Sequence, residues 1–355
     1  MGATAFVHES RPARVVFGRG RRAQLPAEMD ALGVRRALVL TTPEQAALGQ
    51  EVAGLLGADR CAGVHAGAVM HVPIAAARAA IQAARDAGAD ACIAAGGGST
   101  IGLAKAIALE SALPIIALPT TYAGSEMTPL YGITDGGEKR TGRDWRVLPR
   151  TVVYDAELTL GLPVGLSVTS GMNAIAHAAE GLYAVDASPI HQLMAAEGIR
   201  ALAAALPRLA ADGRDLSARD DALYGAWLCG SVLGQVQMGL HHKLCHVLGG
   251  SFNLPHAELH TVILPHALAY NAAAAPLAMN RLAAALGAQE AVAGLVALQR
   301  ALPVPTSLRQ IGMPADGLER AVELITAAPY PNPRPFERPA LRDLLQRAFD
   351  GAAPE

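Results

Sequence analysis

Cysteine, aromatic residues and charge are all sparse in this sequence. Its 355 residues include 4 cysteines, none in a C-x-x-C pair, which excludes a disulfide framework and favours a reducing compartment. Aromatic residues make up only 4% of the chain. The 29 lysines and arginines nearly balance the 31 aspartates and glutamates, and they form no basic stripe. The composition therefore gives no electrostatic basis for binding nucleic acid.

Long apolar runs are also lacking. Glycine, proline or a charged residue interrupts each run well before the roughly 18 residues that a membrane-spanning helix needs. The N-terminal stretch carries Arg11, Arg14 and Arg19 but no apolar core of a signal peptide. We therefore expect a cytoplasmic protein that binds neither a membrane nor nucleic acid.

What the sequence does have is a high content of apolar residues. They reach 52%, mostly Ala, Leu and Val, which is enough for a large core and argues against disorder. A chain of 355 residues exceeds the usual size of one domain, so two domains are expected.

The pattern of apolar residues changes near residue 155. Before it, short apolar runs alternate with helical patterns, which is typical of βαβ units and a parallel sheet. After it, long Ala- and Leu-rich helices take over, and a proline-rich stretch at 329–339 predicts an ordered connector before a final helix. We predict an α/β dinucleotide-binding domain with a parallel sheet over residues 1–157, an all-helical catalytic domain over 158–355, and a ligand site in the cleft between them. The predicted strands are 37–40, 91–95, 114–118 and 151–154, with a hairpin or an excursion in the turn-rich stretch 129–149.

Three consecutive glycines follow the strand predicted at 91–95. Gly96, Gly97 and Gly98 allow close backbone approach and unusual φ angles, and Ser99 is placed to cap the next helix. Free N–H groups at a helix N-terminus bind phosphate, so this turn predicts a pyrophosphate site. The stretch is not G-x-G-x-x-G, and the alternative is a tight turn without a ligand.

Polar side chains also follow two other predicted strands. Thr120, Thr121 and Ser125 come after the strand at 114–118, where α/β sheets bind ligands, although this stretch taken alone favours a polar turn that caps the next element. Thr42 ends the strand at 37–40 without an acidic residue beside it. Because a carboxylate there would reject a 2′-phosphate, the sequence allows either NADH or NADPH.

Histidines are concentrated in the helical half. His242 and His246 share one helix face, and Asn173 and His177 show the same spacing on another helix. So dense a group indicates a metal site, acid–base chemistry or anion binding, whereas an isolated buried histidine is usually structural. For a metal, Asn173 would be a neutral and weak ligand, and Glu180 is the carboxylate that could replace it. Six of the 11 histidines lie in this region: His241, His242, His246, His256, His260 and His266.

Five motifs together resemble those of the iron-containing alcohol dehydrogenases, in the order that this family has them. The resemblance implies an N-terminal dinucleotide-binding domain and a C-terminal helical domain, the fold shared with dehydroquinate synthase. The family's metal ligands, an Asp and three His, correspond to Asn173, His177, His242 and His256. A second departure is Gly102, where many members have Asp. The motifs are Gly96-Gly-Gly-Ser99, Pro119-Thr-Thr121, Gly124-Ser-Glu126, Ser170-Gly-Met-Asn-Ala-Ile-Ala-His177 and Leu264-Pro-His-Ala-Leu-Ala-Tyr-Asn271.

At both of these positions the sequence resembles one subfamily, the maleylacetate reductases. The segments that resemble their sequences are Pro119-Thr-Thr-Tyr-Ala-Gly-Ser-Glu-Met-Thr-Pro129, Tyr131-Gly-Ile-Thr134, Lys139-Arg-Thr-Gly142 and Ser170-Gly-Met-Asn-Ala-Ile-Ala-His177. This resemblance implies reduction of the activated C=C bond of maleylacetate to 3-oxoadipate in bacterial degradation of aromatic compounds, with NADH or NADPH and without an essential metal. It also implies a homodimer.

On this hypothesis the histidines bind and protonate a dicarboxylate substrate. We predict His242, His246 and His256 as enolate donors or the general acid, with His177 and Asn173 orienting the substrate. Weaker candidates are Tyr122 as a hydroxyl donor, and Arg143 and Lys243 as carboxylate partners, for which a solvated surface charge is the alternative. The competing functions are a metal-dependent (Fe or Zn) alcohol or polyol dehydrogenase and a non-enzymatic nucleotide-binding module.

Overall fold

The computed structural model describes residues 6, 8, 14–136 and 138–355, with only the backbone at positions 138 and 139. The chain forms two compact units whose boundary lies between Leu162 and Pro163. This boundary falls a few residues after the predicted one, because a 3-10 helix, Ala156–Thr159, still follows the last strand.

The first unit is an α/β unit built on a six-stranded sheet. Every strand pairing in that sheet is parallel, and the spatial order is β1-β8-β5-β4-β2-β3. β6 and β7 form a separate antiparallel hairpin, which confirms the hairpin predicted at 129–149. The elements are β1 Arg14–Phe17, α1 Leu25–Leu32, β2 Ala37–Leu40, α2 Ala46–Leu56, β3 Cys61–His65, α3 Ile74–Asp86, β4 Ala91–Gly96, α4 Gly98–Ser111, β5 Ile115–Pro119, β6 Leu130–Asp135, β7 Glu138–Arg143 and β8 Thr151–Tyr154.

The central strands are continuous apolar segments because helices cover a parallel sheet on both faces. All residues of β2, β4, β5 and β8 are buried. These are the four strands that the sequence predicted. β1 and β3 were missed because they are edge strands with only partial burial, and β3 also contains Gly63 at φ 147°.

The order of the strands sets where this unit can bind a ligand. From β2 the chain moves outward to β3, returns to β4 on the other side of β2, and continues to β5. β2 and β4 therefore flank a topological switch point, and ligands of open α/β sheets bind outside the carboxyl ends of such strands.

The second unit is helical, as predicted. α5 is almost entirely buried, and α6, α7 and α9 pack against it. α8, α12 and α13 are the helices of this unit whose bounds were not predicted from the sequence, although a final helix was expected after the connector. The helices are α5 Val164–Gly181, α6 Pro189–Ala211, α7 Leu216–Gln235, α8 Leu240–Phe252, α9 His256–Asn271, α10 Pro276–Leu286, α11 Ala291–Arg300, α12 Gly317–Ala327 and α13 Arg338–Asp350.

One stretch, Pro276–Arg300, is long and apolar enough to cross a membrane by length and composition. In the structure it is two helices, α10 and α11, because Gly287 ends α10 in the left-handed region at φ 65°. An 11-residue helix is about 16 Å long, and the bilayer core is about 30 Å thick. Neither helix is long enough to span it.

The connector before α13 is held in place, as its prolines predicted. The Tyr270 hydroxyl donates a hydrogen bond to the Pro335 carbonyl at 2.6 Å, and the Arg334 guanidinium stacks 4.1 Å from the centre of the Tyr270 ring. Asn332 Oδ1 accepts a hydrogen bond from the Leu240 N–H at 3.2 Å, which fixes the connector to the start of α8.

Candidate active site

The glycine turn joins β4 directly to α4. Gly97 is the N-cap residue and α4 begins at Gly98, so Ser99 lies inside the first turn and makes no capping hydrogen bond. The prediction that Ser99 caps the helix is therefore wrong: the extended Gly97 already occupies that position. The first N–H groups of α4 have no partner within the helix and are available to an anion.

Glycine is required at this turn for space and not for φ. None of Gly96, Gly97 and Gly98 has a positive φ, contrary to expectation. A Cβ on Gly97 would lie 2.8 Å from Thr121 Cγ2, whereas a Cβ on Gly98 would meet nothing within 4 Å. The backbone at Gly98 is thus open on the side where a pyrophosphate would approach, and the turn fits a dinucleotide.

The other predicted cofactor residues lie at the carboxyl ends of neighbouring strands. Thr120 Oγ1 accepts a hydrogen bond from Gln45 Nε2 at 3.0 Å, which links the end of β5 to the segment after β2. Thr42 follows β2, and Glu44 stands two residues further on. Hydrogen bonds from its own N–H and from the Thr42 hydroxyl lower the pKa of Glu44. Sequence reasoning overlooked this exposed carboxylate, which stands four residues after the end of β2.

A buried lysine holds the segment after β5 against α4. Lys105 Nζ donates to the Ser125 carbonyl at 2.7 Å, to Thr128 Oγ1 at 2.9 Å and to the Leu130 carbonyl at 2.7 Å. Burial lowers the pKa of Lys105 to about 7 and raises the pKa of Glu126, a buried carboxyl that interacts with its charge, to about 7. The position of Ser125 thus depends on a buried lysine that no motif indicated.

Glu126→Gln is expected to alter how stability depends on pH. Folding raises the pKa of Glu126 from 4.5 to about 7, so its contribution to the free energy of unfolding is complete below pH 4.5 and is lost as pH rises through about 7. The wild type should therefore lose about 2 kcal/mol relative to Glu126→Gln between about pH 5 and pH 8. Urea denaturation measures this loss. Glu110→Gln, which removes an exposed carboxylate of α4, is the control, and a pH-independent difference for Glu126→Gln contradicts the prediction.

In the second unit, α5, α8 and α9 bring six imidazoles together. His177 Nδ1 and His242 Nε2 are 2.8 Å apart, and the His242 and His246 ring centres are 6.0 Å apart. The ring centre of His260 lies 5.1 Å from that of His242 and 4.3 Å from that of His256. The histidine cluster consists of His177, His241, His242, His246, His256 and His260.

His266, which the sequence grouped with these residues, makes none of the ring contacts found within the histidine cluster. It is 4% exposed on α9, and burial followed by the charge of Arg347 lowers its pKa to about 4. It is therefore a neutral structural histidine.

Glu180 determines the orientation of His242. Its buried carboxylate accepts hydrogen bonds from the N–H groups of Gly239 at 2.9 Å and His241 at 2.8 Å, at the open end of α8. It also accepts one from His242 Nδ1 at 2.7 Å. The proton of neutral His242 is thereby fixed on Nδ1, and His242 Nε2 accepts a hydrogen bond from His177 Nδ1.

The positions matching the family's metal ligands do not reproduce its ligand set. Asn173 is buried, and its Oδ1 has no hydrogen-bond partner among the described residues. A carboxamide oxygen is neutral and binds metal weakly. Glu180 does not replace the missing carboxylate, because the N–H groups of α8 and the His242 ring already occupy its oxygens. Three imidazoles and an amide therefore do not fit the Asp–His₃ site of the family.

A second possible metal group, His241, Cys245 and His260, is better explained as a hydrogen-bonded pair with a thiol beside it. His241 Nε2 and His260 Nδ1 are 2.9 Å apart, and Cys245 Sγ is 3.7 Å from His241 Nε2. A metal on these nitrogens would leave protons on His241 Nδ1 and His260 Nε2, which are buried without partners among the described residues. Each such N–H costs about 1–3 kcal/mol. Without a metal, His241 Nε2 and His260 Nδ1 share one proton, so only one buried N–H is left without a partner and the cost is smaller.

The remaining candidates differ in exposure. Lys243 is only 8% exposed, and its ammonium lies 5.4 Å from the centre of the Tyr330 ring. Tyr330 also pairs with His246, since the hydroxyl and Nδ1 are 3.0 Å apart. Arg143, in contrast, is exposed and stacks on Trp145 at 5.8 Å. Tyr122 is fully buried. Its assignment as a hydroxyl donor stays a prediction.

Comparisons with known proteins place this geometry in a family. Residues 12–156 match the model of iron-containing alcohol dehydrogenases, and residues 167–349 match the C-terminal model of the same family. The chain belongs to the iron-containing alcohol dehydrogenase family and is an oxidoreductase. Family membership implies a nicotinamide cofactor, which the glycine turn fits.

Within this family the chain is similar over its full length to maleylacetate reductases, which confirms the resemblance in the motifs. It is 63% identical to the enzyme of Burkholderia cepacia and 55% identical to that of Delftia acidovorans, in each case with 99% of both chains covered. The crystal structure of maleylacetate reductase from Agrobacterium tumefaciens is similar with a TM-score of 0.96 at 53% identity, covering 99% of this chain and 100% of that one. The structure of a 1,3-propanediol oxidoreductase, at 24% identity and a TM-score of 0.90, shows the fold alone.

Proposed function

We propose that this chain reduces the C=C bond of maleylacetate to give 3-oxoadipate, with NADH or NADPH as hydride donor and without an essential metal. The observation that carries the proposal is the chain of contacts from Glu180 through His242 to His177, beside the neutral Asn173. It provides hydrogen-bond donors and a proton where metal-dependent relatives place a metal-binding carboxylate. The full-length similarity to maleylacetate reductases supports it.

The substrate explains why imidazoles suffice. An alcohol dehydrogenase must stabilise an alkoxide, for which a Lewis-acidic metal is suited. Maleylacetate is an enone dicarboxylate, and adding hydride to the carbon β to its ketone gives a delocalised enolate that hydrogen bonds stabilise. A proton delivered to the carbon α to the ketone completes the reduction.

Each part of the protein then has a distinct task. The first turn of α4 binds the pyrophosphate, and a nicotinamide, when bound, supplies the hydride. A His177–His242 pair that carries an additional proton donates a hydrogen bond to the enolate oxygen and delivers that proton, and Glu180 stabilises the positive charge of the pair through its 2.7 Å contact with His242. Asn173 orients the substrate through its side-chain amide. His246 and His256 are exposed and complete the set of donors.

The test is an assay of NADH and NADPH oxidation with freshly prepared maleylacetate, beside a panel of alcohols and aldehydes. We expect turnover of maleylacetate by enzyme that elemental analysis shows to be free of metal. Activity that appears only with added Fe or Zn, or turnover of simple alcohols alone, would favour the metal-dependent dehydrogenase. Tight NADH binding without any turnover would favour a non-enzymatic module.

Gly98→Ala is expected to weaken cofactor binding without harming the fold. A Cβ at this position meets no protein atom within 4 Å, and alanine favours the first turn of a helix over glycine. The methyl group would instead occupy the side open to the pyrophosphate. The KM for NADH should rise about 30-fold, equal to about 2 kcal/mol, while the melting temperature stays the same or rises. Steady-state kinetics and thermal denaturation check this. An unchanged KM would place the cofactor elsewhere.

We further propose that the protein acts as a cytoplasmic homodimer on a small dicarboxylate, with neither nucleic acid nor membrane as a partner. Size-exclusion chromatography with light scattering tests the oligomeric state.

A further inference from the structure

Lys243 is a buried lysine without a counter-charge among the described residues. It lies in the first turns of α8 and is only 8% exposed. Within the part of the chain that the structure describes, no carboxylate or other acceptor pairs with its ammonium, which lies over the face of the Tyr330 ring. The buried ammonium of Lys105, in contrast, donates to several oxygens. Removing a cation from water without a partner is costly, so a residue of this kind is suited to an anionic ligand.

The surroundings of Lys243 connect it to the histidine cluster. His246 is three residues further along α8 and therefore lies on the same face of the helix. Tyr330 bridges the two, with its ring over the Lys243 ammonium and its hydroxyl 3.0 Å from His246 Nδ1. The His242 ring centre is 6.0 Å from that of His246. Lys243 is therefore linked to His242 through Tyr330 and His246.

We propose that the Lys243 ammonium binds one of the two carboxylates of the dicarboxylate substrate, with Tyr330 covering this carboxylate subsite. The assignment rests on the proposed function and extends it to substrate selection: a substrate lacking that carboxylate loses the ion pair. Arg143, the other basic residue considered, does not share this role, since it is exposed and stacked on Trp145. The solvated-charge interpretation therefore holds for Arg143 and not for Lys243.

The experiment compares three substrates that differ only in their carboxylates. Maleylacetate has both carboxylates, 4-oxopent-2-enoate lacks the one next to the ketone-bearing end, and 3-oxohex-4-enoate lacks the one on the alkene. For Lys243→Met we expect kcat/KM with maleylacetate to fall about 100-fold, mostly through KM. With the analogue that lacks the bound carboxylate, wild type and variant should have the same kcat/KM, because the interaction is already gone. Calorimetry should show a matching loss of 3-oxoadipate binding.

Further variants and measurements separate a loss of carboxylate binding from a loss of folding or of charge in general. Arg143→Met removes the same charge from an exposed position and should leave kcat/KM for maleylacetate unchanged. NADH affinity and melting temperature report whether Lys243→Met folds, and Lys243→Arg should recover part of the loss. If the wild type does not reduce maleylacetate, the proposed function and the Lys243 assignment fail together. If the wild type is active but Lys243→Met slows all three substrates equally, or none, only the Lys243 assignment is overturned.

Discussion

Replacing His242 with alanine is expected to lower kcat/KM for maleylacetate about a thousand-fold, within the range measured for losing a general acid or base. His242 is the middle member of the contact chain from Glu180 to His177. Its removal therefore eliminates the proposed hydrogen-bond donor to the enolate and separates His177 from the Glu180 carboxylate. The expected loss is mainly in kcat, because the interaction strengthens as negative charge develops on the substrate oxygen. Stopped-flow measurement of NADH oxidation determines it.

Two comparisons show whether the loss of kcat/KM arises in the reaction step and not in cofactor binding or folding. The Kd for NADH should be unchanged in His242→Ala, since the glycine turn that fits the cofactor belongs to the other compact unit. His191→Ala removes a buried histidine that bonds to Ser188 and Gln235 outside the histidine cluster, and it should retain turnover. A His242→Ala enzyme with kcat/KM within a few-fold of the wild type would show that another group protonates the product.

Glu180→Leu is expected to cost about 4 kcal/mol of the free energy of unfolding, because it removes a buried carboxylate that accepts three hydrogen bonds. The carboxylate is fully buried and accepts from two well-placed N–H groups of α8 as well as from His242. Leucine would leave all of these donors without an acceptor, and each buried unpaired donor costs about 1–3 kcal/mol. Urea denaturation followed by circular dichroism measures the loss.

Glu180→Gln separates the structural role of this residue from its effect on catalysis. The carboxamide oxygen can still accept from the end of α8, so the loss of stability should be about 1–2 kcal/mol. The negative charge beside His242 is gone in both variants, and kcat should fall in both. If Glu180→Leu is as stable as the wild type, Glu180 does not organise α8. If Glu180→Gln retains full kcat, the charge on Glu180 has no part in the reaction.

Local patterns in the sequence predicted most of the fold. The strands at 37–40 and 151–154 have the predicted bounds because a strand buried on both faces is a short, uninterrupted apolar run. Glycine and proline mark the ends of α10 and α13. β3 was missed because an edge strand with exposed positions and a glycine lacks this pattern.

The candidate site was predicted less completely, since its key contacts join residues far apart in the chain. The spacing of His242 and His246 indicated a shared helix face, and the density of histidines indicated a cluster. No spacing rule connects Glu180 with the start of α8, about 60 residues later, or His246 with Tyr330. The burial of Lys243 was equally hidden, because a lysine among histidines has the same sequence pattern whether it is covered or exposed.

The pairing of Glu180 with both the end of α8 and the His242 ring has a consequence for how the enzyme is assembled. The same two oxygens that complete the first turn of the helix also select which ring nitrogen carries the proton. The tautomer of His242 is therefore set when the polypeptide folds, and in the proposed reaction this imidazole needs no reorganisation after the substrate binds. Substitutions that change the first turn of α8 would consequently change the protonation of the His242 ring, even if every histidine were kept.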